Sequence, residues 1–211
     1  MDANQKRAMV ARVKRTMENL EKNGFSTAFV YTREEALTLL KSLVPENSVT
    51  AAGGSMTLRE IGALEYLEAS TDFRKDYMEA YDADYYLLSA NAITEHGEIY
   101  QTDGTSNRIS AMLYGPKRVI VVAGINKIVG NLRQAVERTK RYAAPPNAIR
   151  LCRSTPCARS GECCHADISD TSLMAEGCAS DERICCNTAV FSRQSSKGRI
   201  TVVIVGEDLG Y

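Results

Sequence analysis

The sequence predicts an α/β protein: a Rossmann-like, mainly parallel sheet with helices on both faces, carrying a small cysteine-rich insert before its last strand. Three observations predict it. Stretches of helical periodicity alternate with short apolar runs of β character. Two of those runs, Arg118–Ala123 and Ile200–Val205, are continuous and β-branched, as strands buried on both faces are. All seven cysteines fall between Cys152 and Cys186, in a stretch poor in apolar side chains. The strand after it is as apolar as the central ones and must return to the core. The chain is therefore read as one α/β domain over 1–211, with a cysteine-rich metal-binding insert at 151–190.

Taken in order, a helix is expected from Asn4 to Asn23, with Met9, Val13, Met17 and Leu20 on one face and Gly24 ending it. Phe25–Tyr31 reads as a strand. Thr32 and Glu35 form a capping-box pattern that opens a helix with Ala36, Leu37, Leu40 and Leu43 inward, stopped at Pro45. Ser48–Ala52 is a strand, and a helix starts at Thr57. Another helix is expected over Arg74–Tyr81. Tyr85–Ala90 is a buried strand, followed by a hairpin of Asn91–Glu95 and Glu98–Gln101 around His96-Gly97. A short helix runs from Asn107 to Leu113. After Arg118–Ala123, a helix is expected from Val129 to Tyr142, ended by Pro145-Pro146.

Composition narrows the function. The chain has 211 residues, and Lys+Arg and Asp+Glu stand at 26 each, which argues against a nucleic-acid platform. The basic residues of the first helix (Lys6, Arg7, Arg12, Lys14, Arg15) read as a solvated face. No apolar run has the length of a signal peptide or a bilayer span, so a cytoplasmic, membrane-free protein is expected. Thiols in that compartment stay reduced, and an odd number cannot all pair, so metal binding is favoured over a disulfide framework.

Three loops lie where ligands bind, outside the carboxyl ends of parallel strands. The first is Gly53-Gly54-Ser55-Met56-Thr57, where glycines admit close backbone approach and Ser55 and Thr57 supply hydroxyls. The second runs from Asn91 to Arg108 and contains Asn91, Thr94, Asp103, Asn107 and Arg108. Arg108 suits a two-pronged contact with carboxylate or phosphate. The bland alternatives are a turn at Asp103-Gly104 and a helix cap at Asn107. The third is Gly124-Ile125-Asn126-Lys127, where Lys127 offers a point charge to an anion. The expected ligand is thus a small anionic metabolite. His96 reads as an exposed turn residue, and His165 as a candidate addition to a metal shell.

These segments together resemble the lactate utilisation domain family. The resemblance rests on Ala52-Gly53-Gly54-Ser55-Met56-Thr57-Leu58-Arg59-Glu60-Ile61-Gly62, on Asn91-Ala92-Ile93-Thr94-Glu95 with Gly97-Glu98-Ile99, on Asp103-Gly104-Thr105-Ser106-Asn107-Arg108-Ile109, on Tyr114-Gly115-Pro116-Lys117 and on Gly124, Asn126, Lys127, Ile128 and Val129. It implies a fold similar to the sugar-phosphate isomerase and coenzyme A transferase group. It also implies a link to bacterial oxidation of lactate or a related hydroxyacid, alongside iron–sulphur partner subunits. The glutamate nucleophile of that group's transferases does not align with Glu60, Glu95 or Glu98, so transferase activity is not carried over and catalytic residues stay unassigned.

The cysteine segment is similar to a C-terminal module of an anaerobe subgroup of that family, with Pro-Cys, Gly-x-Cys and Arg-Ile-Cys elements. On that resemblance the metal ligands are Cys157, Cys163, Cys178 and Cys185. The chain departs from the pattern in a longer stretch between Cys163 and Cys178 and in the doublets Cys163-Cys164 and Cys185-Cys186, so Cys164 and Cys186 are alternatives. Ligation by Cys152 is left open. Four thiolates suit an iron–sulphur cluster or zinc, and the redox context of the family favours the cluster. The spacings match neither a ferredoxin run nor a zinc ribbon. The other readings are a metabolite-binding module with a purely structural zinc, and a transferase or isomerase acting on an activated acid or sugar phosphate. A homo-oligomer is left open.

Overall fold

The computed structural model describes residues 2–168 and 175–211. Its helices are α1 (Ala3–Lys22), α2 (Arg33–Leu43), α3 (Met56–Glu60), α4 (Ala63–Ser70), α5 (Asn107–Leu113), α6 (Leu132–Arg138), α7 (Ala144–Arg150) and α8 (Pro156–Ser160). Its strands are β1 (Ser26–Val30), β2 (Val49–Ala52), β3 (Asp72–Arg74), β4 (Tyr85–Leu88), β5 (Ala92–Thr94), β6 (Ile99–Asp103), β7 (Arg118–Gly124), β8 (Ile128–Val129), β9 (Asn187–Phe191) and β10 (Ile200–Val205).

Six strands in the order β1-β10-β7-β4-β2-β3 form one sheet in which every neighbouring pair is parallel. Strand periodicity divides its side chains between two cores. Along β7, Val119 and Val121 enter one core while Ile120 and Val122 enter the other. Along β10, Val202 and Ile204 face the first, and Val203 and Val205 the second. The first face is covered by α1 through Val13 and Leu20, and by α5 through Ala111 and Met112. The second is covered by α2 through Ala36 and Leu40, and by α4 through Ala63 and Leu67. Apart from Thr201, both strands are apolar at every interior position because both faces are buried. This is the expected Rossmann-like architecture.

A second, mixed sheet in the order β8-β5-β6-β9 packs on the first face, burying Ile93, Ile99, Ile128 and Phe191. The sequence reading contained its β5–β6 hairpin but neither of its outer strands. Strand β9, directly after the last cysteine, runs antiparallel to β6 from Asp103↔Asn187 to Ile99↔Phe191. Its burial is partial, and Asn187, Thr188 and Ala189 give no alternating apolar signal, so only pairing defines it.

Two expected elements are corrected. Arg74–Tyr81 is not a helix: Asp72–Arg74 forms an edge strand on β2, and Asp76 turns the chain by accepting from the Met78 amide at 2.7 Å. Only a 3₁₀ turn follows, at Glu79–Asp82: Ala80 is buried, but Tyr77 and Met78 are exposed, so a longer helix here would have had little apolar face to bury. Nor do Pro145-Pro146 end the helix that begins at Leu132. A π-turn at Thr139–Ala143 re-registers the hydrogen-bond ladder, and the prolines occupy the first turn of α7, where their missing N–H is not needed. Likewise α3 starts one residue early, capped by Ser55, whose Oγ accepts from the Leu58 amide at 3.2 Å.

The β5–β6 hairpin is pinned to α1. Asn19 Nδ2 donates to the Glu95 carbonyl at 2.8 Å, Asn23 Nδ2 donates to the Gly97 carbonyl at 2.9 Å, and Arg12 Nε pairs with Glu95 at 2.7 Å. Gly97 has φ +82°, and a Cβ there would lie 2.4 Å from the Asn19 carbonyl carbon. Gly97→Ala is therefore expected to cost roughly 2 kcal/mol or more in chemical denaturation, from backbone strain plus displacement of α1; a loss within error would mean that the hairpin docks less tightly than described.

Candidate functional site

Three carboxyl ends of the main sheet converge on one polar cleft. After β2 come Gly54, Ser55 and Met56; after β4 come Ser89, Ala90 and Asn91; after β7 comes Lys127. Arg108 from α5, Ala143, Asn147 and Arg150 from the π-turn and α7, and Tyr211 complete the lining. The cleft is half open: its interior volume is about 60 Å³, and a ligand seated there would extend out through the mouth.

Lys127 is the centre of this site. Its side chain is only 3% exposed. Nζ donates to Thr57 Oγ1 at 3.1 Å and to Ser89 Oγ at 3.0 Å. Among the described residues it makes no ion pair. Burial, and then the charges of Arg138 and Arg108, push its pKa from 10.5 down to about 7, with Glu60 opposing. Thr57 is itself fully buried, and its hydroxyl also donates to the Leu209 carbonyl at 3.3 Å.

Arg108 is held from behind. Its amide donates to Asp103 Oδ2 at 2.9 Å, its Nη2 to the Thr102 carbonyl at 2.7 Å, and its Nε stands 3.5 Å from Asp103. Asp103 thus orients the arginine and does not line the cleft. Gly53 makes room for this packing, because a Cβ there would meet Tyr86 Oη at 2.9 Å and Arg108 Cγ at 3.0 Å. Tyr86 Oη is buried with no hydrogen-bond partner among the described residues, and burial raises its pKa. Arg138 Nε and Nη1 donate to the carbonyls of Asn126 and Asn91 at 2.8 and 2.7 Å, tying the third loop to the second. Burial lowers the pKa of Arg138 to about 10, which leaves it a cation at neutral pH. Arg150 is tied only to the Asn147 carboxamide, at 2.8 and 3.0 Å, among the described residues.

Of the twelve ligand-binding residues expected from sequence, Gly54, Ser55, Asn91, Arg108 and Lys127 line the cleft. Gly53, Thr57 and Asp103 touch or hold those residues. The other four do neither. Thr94 is buried in the hairpin, where its hydroxyl donates to Glu98 at 2.8 Å. Asn107 accepts from the Thr105 hydroxyl at 3.0 Å, and Gly124 is packed against the Glu207 carbonyl. Asn126 clamps the C-terminal segment, donating to Leu209 and Gly210 carbonyls and accepting from the Leu209 amide at 3.2 Å. Ser89, Arg138, Asn147 and Arg150 were not anticipated. The last three lie on the helix that the prolines were expected to end, and Ser89 is one hydroxyl at the end of an apolar strand.

A second cavity lies against the small sheet. Cys157, Cys163, Cys164, Cys178 and Cys185 line it, with Tyr100, Thr102 and Thr188 forming its floor and Arg183 its edge. The four cysteines assigned to metal by resemblance therefore share one cavity. Cys152 and Cys186 are exposed and outside it, and His165 instead bonds Glu176 at 3.1 Å. Part of the stretch between Cys163 and Cys178 lies outside the described residues. All seven cysteines are free thiols. Burial raises the pKa of Cys185, and Cys178 and Cys157 raise it further, against Arg183, whose Nε is 3.4 Å from Sγ. Burial likewise raises Cys163, with Cys164 and Cys185 adding. Thiols that oppose one another's ionisation in one cavity are a donor set a cation would relieve, so the residues fit a thiolate-bound metal in type. As placed, no three Cys, His, Asp or Glu side chains among the described residues form a group that could hold an ion.

A narrow third cavity shares Thr102, Thr139, Ala144 and Cys185 with the cysteine cavity. It shares Asn91, Arg108, Ala143 and Asn147 with the cleft. The third cavity thus adjoins both sites.

Sheet and cleft define an α/β protein with a cationic cleft at the carboxyl edge of parallel strands, where ligands of such sheets bind. The chain belongs to the LUD domain family, whose profile matches residues 13–205. That membership points to a role related to lactate utilisation. A crystal structure of a DUF162 family protein from Deinococcus radiodurans is similar in fold, with a TM-score of 0.52 at 15% identity, over 93% of this chain and 97% of that one. No curated protein matches the chain. Among the described residues, no helix is long and apolar enough to cross a membrane.

Two outcomes follow for the cleft. Arg108→Ala is expected to weaken oxalate or phosphate binding by about 2 kcal/mol in calorimetry without unfolding the protein; unchanged affinity would move the anion elsewhere. The depressed pKa of Lys127 means that its burial penalty is fully present below about pH 7 and is relieved as pH rises toward 10.5. Wild-type stability relative to Lys127→Met is thus expected to rise with pH across that window, and anion affinity to fall as pH passes about 7. Parallel stability profiles for the two proteins would contradict this assignment.

Proposed function

We propose that the protein is a cytoplasmic component of a bacterial system that oxidises lactate or a related hydroxyacid. In this reading the cleft around Lys127 and Arg108 holds a small carboxylate, and Cys157, Cys163, Cys178 and Cys185 hold an iron–sulphur centre that exchanges electrons with iron–sulphur partner subunits. One observation carries it: five cysteines of one segment, these four among them, line a cavity that is joined to the cationic cleft by the third cavity, which has Cys185 and Thr102 in common with the one and Asn91 and Arg108 with the other. A centre there would supply one-electron chemistry beside a bound metabolite. Its ligands would have to close in on the ion, and metal binding would thereby order the segment. Arg183, pairing with Cys185 and raised in pKa by it, would offset the negative charge of the thiolates.

Protein purified without oxygen is expected to be brown, with broad absorbance near ~400 nm that bleaches on reduction. Cys157→Ser and Cys185→Ser are each expected to lose most of the iron and to loosen residues 152–186 toward proteolysis. A colourless protein with about one zinc per chain would instead support a metabolite-binding module with a structural metal. Full metal retention in both variants would mean that other thiols ligate. Turnover of an acyl-coenzyme A by the chain alone would overturn the redox reading in favour of a transferase.

A further inference from the structure

We propose that Lys127 condenses with the carbonyl carbon of a small 2-oxo acid held in the cleft, forming an imine on Nζ. The inference rests on the reading of the cleft as a carboxylate site and adds a covalent step to it. A lysine buried for structural reasons is ordinarily matched by a carboxylate. Lys127 is matched by two hydroxyls, Thr57 Oγ1 at 3.1 Å and Ser89 Oγ at 3.0 Å, with no ion pair among the described residues. A hydroxyl can donate to a neutral amine as readily as it accepts from an ammonium, so this setting suits either form. The cations around it, Arg138 and Arg108, favour the neutral form, and its depressed pKa agrees.

The remainder of the cleft suits the rest of such a substrate. Arg108 and Arg150 line the same wall space as Lys127, and a guanidinium pairs with a carboxylate in two-pronged fashion. A Cβ on Gly54 would meet nothing within 4 Å, so the mouth of the loop is open beside them. A carboxylate on an arginine brings its adjacent carbonyl carbon into the region of the lysine, and proximity of this kind is the main requirement for imine formation. The reaction balances without a further reagent. The Nζ lone pair forms a C–N bond to the carbonyl carbon, and the carbonyl oxygen takes up the proton that nitrogen loses, relayed by the Ser89 or Thr57 hydroxyl. The carbinolamine hydroxyl formed on the substrate carbon then leaves with the second proton of the nitrogen as water, giving the C=N bond. Pyruvate, the two-electron oxidation product of lactate, belongs to this substrate class.

The test uses the full chain at pH 8 with pyruvate and sodium borohydride, read by intact mass and peptide mapping. The expected result is one reduced adduct per chain, on Lys127, formed at least about tenfold faster than on surface lysines, which are almost wholly protonated at that pH. Oxalate, which has the carboxylates but no ketone, should suppress it. Lys127→Arg and Lys127→Met should abolish it, with thermal melting reporting that each variant is folded, and Ser89→Ala should slow it. Labelling that is absent, spread evenly over surface lysines, or unchanged in the Lys127 variants would overturn the proposal. Calorimetry with oxalate separates the two failures: binding without an adduct defeats the imine alone, and no binding defeats the carboxylate reading as well.

Discussion

Burying the ammonium of Lys127 at the carboxyl edge of the sheet is the costly step to which the surrounding structure is fitted. A fall in pKa from 10.5 to about 7 corresponds to roughly 5 kcal/mol between its charged and neutral forms. The hydroxyls that meet it come from two different strand ends, Thr57 beyond β2 and Ser89 beyond β4. Those ends are adjacent because β2, β4 and β7 are neighbours in the parallel sheet. The C-terminal segment closes the remaining side, through Leu209 on Thr57 and Asn126. Strand order, loop chemistry and chain end thus all bear on one nitrogen atom.

The cationic character of the cleft is equally a product of assembly. Arg138 and Arg150 arrive on a helix that passes through Pro145 and Pro146 by means of a π-turn. A regular helix would have broken there, because proline cannot supply the hydrogen-bond donor and clashes with the preceding turn. With the ladder re-registered, Asn147 and Arg150 continue along the cleft while Thr139 and Ala144 face the cysteine cavity. That single helical segment is the partition between the two sites.

The small sheet explains how a polar, cysteine-rich stretch comes to lie beside a ligand site. Pairing of β9 with β6 fixes Asn187 opposite Asp103, and the Cys186 amide donates to the Asp103 carbonyl at 2.9 Å. Asp103 also holds Arg108. One residue therefore anchors the end of the thiol segment by its backbone and orients the cleft's Arg108 by its side chain. A shift of β9 by one register position would move Cys185 relative to the cleft, which makes this pairing the joint between the two halves of the proposed function.

The main sheet was legible in the sequence because strands buried on both faces must be largely apolar, and β7 and β10 are, with Thr201 the one polar side chain inside either run. The helix caps at Thr32 and the hairpin turn at Gly97 were legible for a similar reason: each depends on residues within a few positions of one another. So was the family, through loops whose residue order survives in a linear string. What the sequence could not determine was which distant groups meet. Strand β9 has no apolar period of its own and exists through pairing with β6. Thr94, Asn107 and Asn126 belong to polar loops beside the site, yet spend their hydrogen bonds on neighbouring chain. Asn147 and Arg150 were hidden behind two prolines, and Arg138 gave no signal that set it apart from the other charged residues of its helix. Burial and partner choice are properties of three-dimensional neighbours, so only the tertiary structure could turn Lys127 from a surface charge into a buried amine and bring the thiols of one segment into a common cavity.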